Sequence, residues 1–402
     1  MSGGRAPARP GRGWLVWLLV TVILTQTSLN LTRPLMSYQT ISLGGGALAI
    51  GMITACYALL SVVTAVPLGR ITDRSGRSPL VLTVGATLLG LSALLLATAG
   101  SVWTVAGFGT MLGFGHLAFM VAGQGLIARC SAEQDLDRNF GWFTAVTSIG
   151  QLLGPALAGL LLGDASGTGL RGPTQAALAV AGAIALAALP AAAGVWRACR
   201  GTSAAARAED GAAPLPVADL LRRPGIAPGL FVSLALLAAV DVLTAYLPLI
   251  AEQRGIVPAT VGILLSLRAA ASVASRLLMS WMLRKWSRRV LIVGSALGAA
   301  LTLAVVPMPF AGPAVMAAAL LAGGFLLGLG QPLTMTVVVR AVPETARSTA
   351  LALRLMGNRF GQVALPAGAS LIAAGAGAGG ALWFTCAVLL AAAGAARATP
   401  RA

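Results

Sequence analysis

Uncharged apolar runs about 20 residues long recur along nearly the whole chain, and no other property limits its fold so sharply. Crossing about 30 Å of hydrocarbon takes about 20 residues of α-helix at about 1.5 Å each. Twelve such spans are predicted, at approximately 14–32, 47–68, 79–99, 102–127, 140–162, 174–196, 226–250, 258–283, 290–307, 313–339, 348–373 and 379–396. Only 10% of the 402 residues are charged and mean hydropathy is +0.87, which excludes an ordinary soluble domain. The expected fold is an all-α membrane protein.

A net charge of +17 would suggest nucleic acid in a soluble protein, but here the charges sort by side. With the N-terminus inside, most of the 28 basic residues fall in inner segments: the N-terminal arginines, Arg70 to Arg77, Arg129, Arg138, Arg197 to Arg223, Arg284 to Arg289, Arg340, Arg347, Arg397 and Arg401. The outer loops hold only Arg33, Arg171 and Arg254. By the positive-inside rule both termini are expected in the cytoplasm, and no nucleic-acid partner is implied. The opening MSGGRAPARPGRGWLVWLLV has the charged head and apolar body of a signal peptide, yet no small-residue cleavage site follows before Asn30, so it reads as an uncleaved first span. Arginine replaces lysine almost throughout and alanine and glycine abound, which points to a GC-rich bacterial genome and a bacterial inner membrane. The four cysteines, Cys56, Cys130, Cys199 and Cys386, sit singly, with no spacing suited to a metal or a disulfide.

The longest polar break, residues 197–225, divides the spans six and six, into bundles of residues 1–196 and 226–402 joined by a cytoplasmic linker. The halves also repeat at an offset of 211 residues. GQLLGP, starting at Gly150, meets GQVALP, starting at Gly361; Gly51 meets Gly262; and the polar box Gly69 to Ser78 meets Ser280 to Arg289. Such an offset predicts parallel repeats about an axis along the membrane normal.

That box, GRITDRSGRS, reads Gly-x-x-x-Asp-Arg-x-Gly-Arg at Gly69, Asp73, Arg74, Gly76 and Arg77, between spans 2 and 3. It resembles the loop signature of the major facilitator superfamily of secondary transporters. Span 5 carries Gly141, Gly150, Gly154, Pro155, Ala158 and Gly159, a spacing similar to the family's fifth-helix antiport motif, with Ala158 in place of its first paired glycine. Small residues let helices approach closely, and Pro155 removes a backbone hydrogen bond so that the helix can bend. The resemblance implies two six-helix bundles around a central cavity opening alternately to each side, with spans 1, 4, 7 and 10 lining it and spans 2, 5, 8 and 11 between the halves. The box would gate the cycle. Its second copy keeps Lys285, Arg288 and Arg289 but has Arg284 where Asp73 stands.

Five ionisable residues fall inside predicted spans: Asp241, Arg268, Arg276, Arg354 and Arg359. Each costs about 2.5–3.5 kcal/mol at a helix centre on insertion scales, so each needs a partner or water. Asp241 and Arg268 lie at matched depth and could pair; Arg359, beside Asn358, is the other candidate. Arg276 and Arg354 lie near enough to the inner face to snorkel. Two readings of Asp241 stand side by side: a carboxylate that exchanges an arginine for a proton or cationic substrate, or a permanent salt bridge. One buried negative charge against four positive ones also favours an anionic substrate. Asn30, Gln26, His116, Gln124, Gln331, Thr334 and Tyr246 complete the polar cavity candidates.

A nucleotide-driven pump lacks its phosphate-binding segment, since the sole lysine, Lys285, sits in Arg-Lys-Trp-Ser. No His/Asp/Glu grouping suggests an enzyme or a metal site. The reading is a monomeric secondary transporter that moves a small molecule across the bilayer without a cofactor, with proton-coupled efflux the leading direction. Proton-linked or facilitated uptake of a metabolite, or a transport-inactive scaffold, are the alternatives.

Overall fold

A computed structural model describes residues 13–74, 78–131, 133–199, 222, 225–340 and 347–398. Eleven helices among them are long and apolar enough to cross a membrane. The last of these, Leu353–Arg397, is broken at Gly377, where φ is +71° and ψ −175°, so it contains two helices and brings the crossings to twelve. Glycine reaches that left-handed φ without a Cβ clash. Span 6 is likewise built from two pieces, Arg171–Leu186 and Leu189–Cys199. Many threonine side chains on these helices need no outside partner. Hydroxyls of Thr21, Thr25, Thr32 and Thr40 donate to carbonyls four residues back on span 1, which satisfies them within their own helix.

Span 1 is longer than its apolar run. It extends over Gly13–Ser42, past Pro34, with Ser37, Gln39 and Thr40 buried beyond the predicted end at residue 32. Arg33, assigned to an outer loop by hydropathy, therefore lies inside the helix. The remaining helices follow the prediction within a few residues, notably Ala47–Arg74, Leu136–Leu162, Ile226–Gln253, Pro258–Lys285 and Pro313–Arg340 for spans 2, 5, 7, 8 and 10.

The apolar core forms two large clusters, one drawn from residues 14–199 and one almost wholly from residues 232–396. Spans 2 and 11, and spans 5 and 8, pack across the boundary between them. The 211-residue offset is visible in that packing. A Cβ added at Gly262 of span 8 would lie 2.5 Å from the Pro155 carbonyl oxygen of span 5, and one added at Gly51 of span 2 would lie 2.9 Å from the Pro366 carbonyl oxygen of span 11. Gly51 and Gly262, like Pro155 and Pro366, are equivalent at that offset, so the two interfaces repeat one contact.

Within the first half, Gly113 of span 4 rests on the Tyr57 carbonyl of span 2, and an added Cβ would fall on that oxygen. No rigid movement of one half against the other relieves this clash. Gly113→Ala is expected to cost about 1–3 kcal/mol by overpacking, read as a lower melting temperature of the purified protein, whereas Gly107→Ala, which meets nothing, should melt like the parent.

Candidate functional site

The buried carboxylate of Asp241, in span 7, is 3% exposed and lies where the two halves meet. Its partner is Arg33 of span 1, whose Nη2 donates to Asp241 Oδ1 in an ion pair that joins the first half to the second. This corrects the expected pairing with Arg268 or Arg359. Hydropathy ended span 1 one residue before Arg33 and so hid a sixth intramembrane charge. Arg359 still bears on Asp241, but through a relay: Arg359 Nη1 donates to Gln362 Oε1 at 3.0 Å, and Gln362 Nε2 donates to Asp241 Oδ2 at 2.7 Å. On the other side the Arg33 guanidinium lies 5.4 Å from the Tyr57 ring centroid, and the Tyr57 hydroxyl is 2.9 Å from His116 Nδ1. His116 is thus hydrogen-bonded and stacked on Tyr57 in span 2, at the far end from Arg359 of a continuous polar chain.

Arg33 borders two clefts. The smaller is lined also by Tyr57, Thr54, Asp241 and Thr244. The larger lies between spans 1, 5, 7, 8 and 10, with Asn30, Gln151, Arg268, Ser272, Arg276 and Gln331 as its polar wall and Leu236, Val240, Leu265 and Leu327 among the apolar one. Arg268 is 8% exposed, yet its Nε has no hydrogen-bond partner and no ion pair reaches it among the described residues. Among the described residues, Arg276 reaches only Ser148 Oγ, at 3.4 Å.

Arg354 does not snorkel. It is 7% exposed and donates to Gln331 Oε1 at 2.7 Å and to the Gln331 carbonyl at 2.9 Å. Gln331 donates in turn to the Ser233 carbonyl, and Ser233 Oγ donates to Asn358 Oδ1, so Gln331, Asn358 and Arg354 tie spans 7, 10 and 11 together. Asn30 donates back to the Gln26 carbonyl of its own helix, and Gln124 is exposed, away from both clefts. Thr334 and Tyr246 are fully buried, the tyrosine donating to the Ala47 carbonyl across the halves. Cys130 and Cys199, expected to be solitary, meet with sulfurs 3.6 Å apart at the ends of spans 4 and 6.

The span 5 glycines serve two different contacts. Gly150 and Gly154 let span 1 approach at Gln26 and Asn30, while Gly159 meets the backbone of Pro258, Ala259 and Gly262 in span 8. Gly141 touches nothing within 4 Å. In the 69–77 box, Gly76 and Arg77 lie outside the described residues, as do the side chains of Asp73 and Arg74; the backbone at Gly69, Asp73 and Arg74 ends the span 2 helix.

Apart from the long Arg276–Ser148 contact, the hydrogen bonds described between the halves lie between the middle of the bundle and its arginine-poor end. They include Ala259 N–H to the Gly163 carbonyl at 3.1 Å, Gly167 N–H to Glu252 Oε1 at 2.9 Å and Ser266 Oγ to the Leu152 carbonyl at 2.9 Å. These bonds latch the halves together at that end.

The family model for the Major Facilitator Superfamily matches residues 18–257 and 229–401. Among curated proteins, the class H tetracycline resistance protein of Pasteurella multocida is 30% identical over 163 residues, 38% of each chain. The quinolone resistance protein NorA of Staphylococcus aureus is 25% identical over 145 residues, 36% of this chain and 37% of that protein. These matches thus span less than two fifths of either relative. Among solved structures, a mutant of the nucleoside transporter NupG superposes with a TM-score of 0.81 at 14% identity, covering 96% of this chain and 99% of that one. The inward-open xylose transporter XylE from E. coli gives 0.73 at 15% identity, covering 96% of both.

Proposed function

Because the chain belongs to the Major Facilitator Superfamily, a family of membrane transporters, we propose that it exports small amphipathic compounds across a bacterial inner membrane in exchange for protons. The observation that carries this reading is the membrane-buried Asp241–Arg33 pair bridging the two halves. While the halves are together Arg33 meets the charge of the carboxylate; once they separate and the arginine withdraws, the carboxylate is free to take a proton in its place. Proton uptake is then tied to the same movement that transfers the cleft from one side to the other. A bundle latched at its arginine-poor end opens toward its arginine-rich side, and in this reading the positive-inside rule makes that side the cytoplasm, with both termini. The span 5 spacing and the resistance proteins among the relatives support export over import.

Expression of the full chain in a bacterial strain deprived of its own exporters tests direction. Export predicts raised resistance to several amphipathic toxic compounds, and an imposed pH gradient across proteoliposomes should drive their accumulation. Growth gained on a carbon source, with no change in resistance, would instead identify an importer.

A further inference from the structure

We propose that the transported compounds are amphipathic anions, and that the guanidinium of Arg268 receives their negative group. This rests on the transporter reading and names the substrate class of the same cleft. Its basis is an imbalance at one wall. Arg33 has its counter-charge in Asp241, but Arg268 and Arg276 share the larger cleft with no carboxylate on its lining among the described residues. Arg268 is the sharper case: more than nine-tenths buried, bordering the cleft, its Nε unpartnered. A guanidinium presents five donors in a fixed fork that suits the two oxygens of a carboxylate. Leaving such a group desolvated and unpaired is unfavourable, so its retention beside an open cleft fits a ligand that supplies the acceptors. Leu236, Val240, Leu265 and Leu327 cover the rest of the space, which selects a ligand with an apolar body behind its charge.

The close approach of span 10 to span 8 at a glycine fixes where that fork sits. Gly324 lies against the Arg268 backbone, where an added Cβ would clash with its carbonyl, so the arginine's helix is held close and its side chain is directed by packing rather than by a hydrogen bond.

The test is equilibrium binding to purified full-length protein with no proton gradient, followed by ligand-induced thermal shift, with naphthalene-2-carboxylate, naphthalene-2-carboxamide, 2-naphthylmethylamine and sodium sulfate as probes. The carboxylate alone is expected to stabilise the parent protein. Arg268→Gln should weaken carboxylate binding by about tenfold or more, the loss expected for a charge-assisted hydrogen bond, and Arg276→Gln by less. Without ligand, Arg268→Gln should melt at or above the parent temperature, because it removes an uncompensated buried charge. Carboxylate and carboxamide binding equally well, a carboxylate preference that survives Arg268→Gln, sulfate acting as strongly as the carboxylate, or no carboxylate binding would each overturn the assignment. A fall in the unliganded melting temperature of Arg268→Gln would also count against it, by marking the guanidinium as a structural contact. Failure here leaves proton-driven transport of neutral or cationic compounds intact, so it is separable from failure of the transporter reading.

Discussion

Asp241→Asn is expected to abolish substrate accumulation driven by a pH gradient while leaving slow movement down the substrate's own gradient. Asparagine keeps the shape and can still accept from Arg33, but it does not titrate, so the proton no longer has a carrier on the path between halves. A second effect has to be separated from this one. Removing one member of a buried ion pair costs about 3–5 kcal/mol when the other is left fully desolvated. Arg33 retains 19% side-chain exposure against 4% for Asp241, so water from the clefts offsets part of that cost and the loss of stability should be smaller. The double variant Arg33→Gln/Asp241→Asn removes both charges and should regain the melting temperature lost by Asp241→Asn alone. Coupling should stay absent in the double variant. Proteoliposomes containing each variant, with substrate and proton fluxes recorded together, give the decision: undiminished proton movement in Asp241→Asn would reduce the pair to a permanent brace.

The relay around the pair grades the neighbouring residues. Gln362 touches Asp241 directly and hands it to Arg359, while His116 is reached only through Tyr57 and Arg33. Arg359 therefore touches Asp241 only at one remove, through the Gln362 side chain.

The architecture was legible because membrane folding leaves so few options. Lipid forces helices, helix length follows from hydrophobic thickness, and the repeat at 211 residues reappears in the matching Gly51–Pro366 and Gly262–Pro155 contacts. Asp241 was legible too, since a carboxylate in an apolar run has no inexpensive explanation. Its partner was not. Span 1 runs about ten residues beyond its apolar window because threonine hydroxyls satisfy themselves on their own helix, so polar sequence there still makes a membrane helix, and Arg33 looked like a loop residue. Hydropathy averages over a helix, whereas pairing depends on which face each residue takes and which helix lies opposite. The Cys130–Cys199 approach was hidden for the same reason, being set by how spans 4 and 6 meet rather than by any spacing along the chain. The glycine series of span 5 was read as one motif, yet its members divide between packing inside a half, at Gly150 and Gly154, and contact between halves, at Gly159.

That division yields a conformational test with an effect as large as that at Asp241. Gly262→Ala should shift the protein away from the latched state, because its Cβ would press on the Pro155 carbonyl oxygen and on Gly159, both in the opposite half. Unlike Gly113, whose neighbours belong to its own half, Gly262 loses the clash once the halves part at the arginine-poor end. Overpacking of about 1–3 kcal/mol then acts on one state only, which moves the equilibrium by a factor of about 5 to about 150 toward the open form. Gly51→Ala presses on the Tyr246 hydroxyl, Ser370 and the Pro366 carbonyl at the equivalent interface and should act in the same direction. A reporter cysteine at Thr244, which borders both clefts, makes the shift measurable in a background without the native cysteines. Its reaction with a membrane-impermeant thiol reagent applied from the arginine-poor side should accelerate in Gly262→Ala and in Gly51→Ala. Gly294→Ala, where an added Cβ meets nothing, should react like the parent. If the reporter reacts at the parental rate in both interface variants, the Gly262 and Gly51 contacts do not hold the latch, and the closure must rest on the hydrogen bonds at Gly163, Gly167 and Leu152 instead.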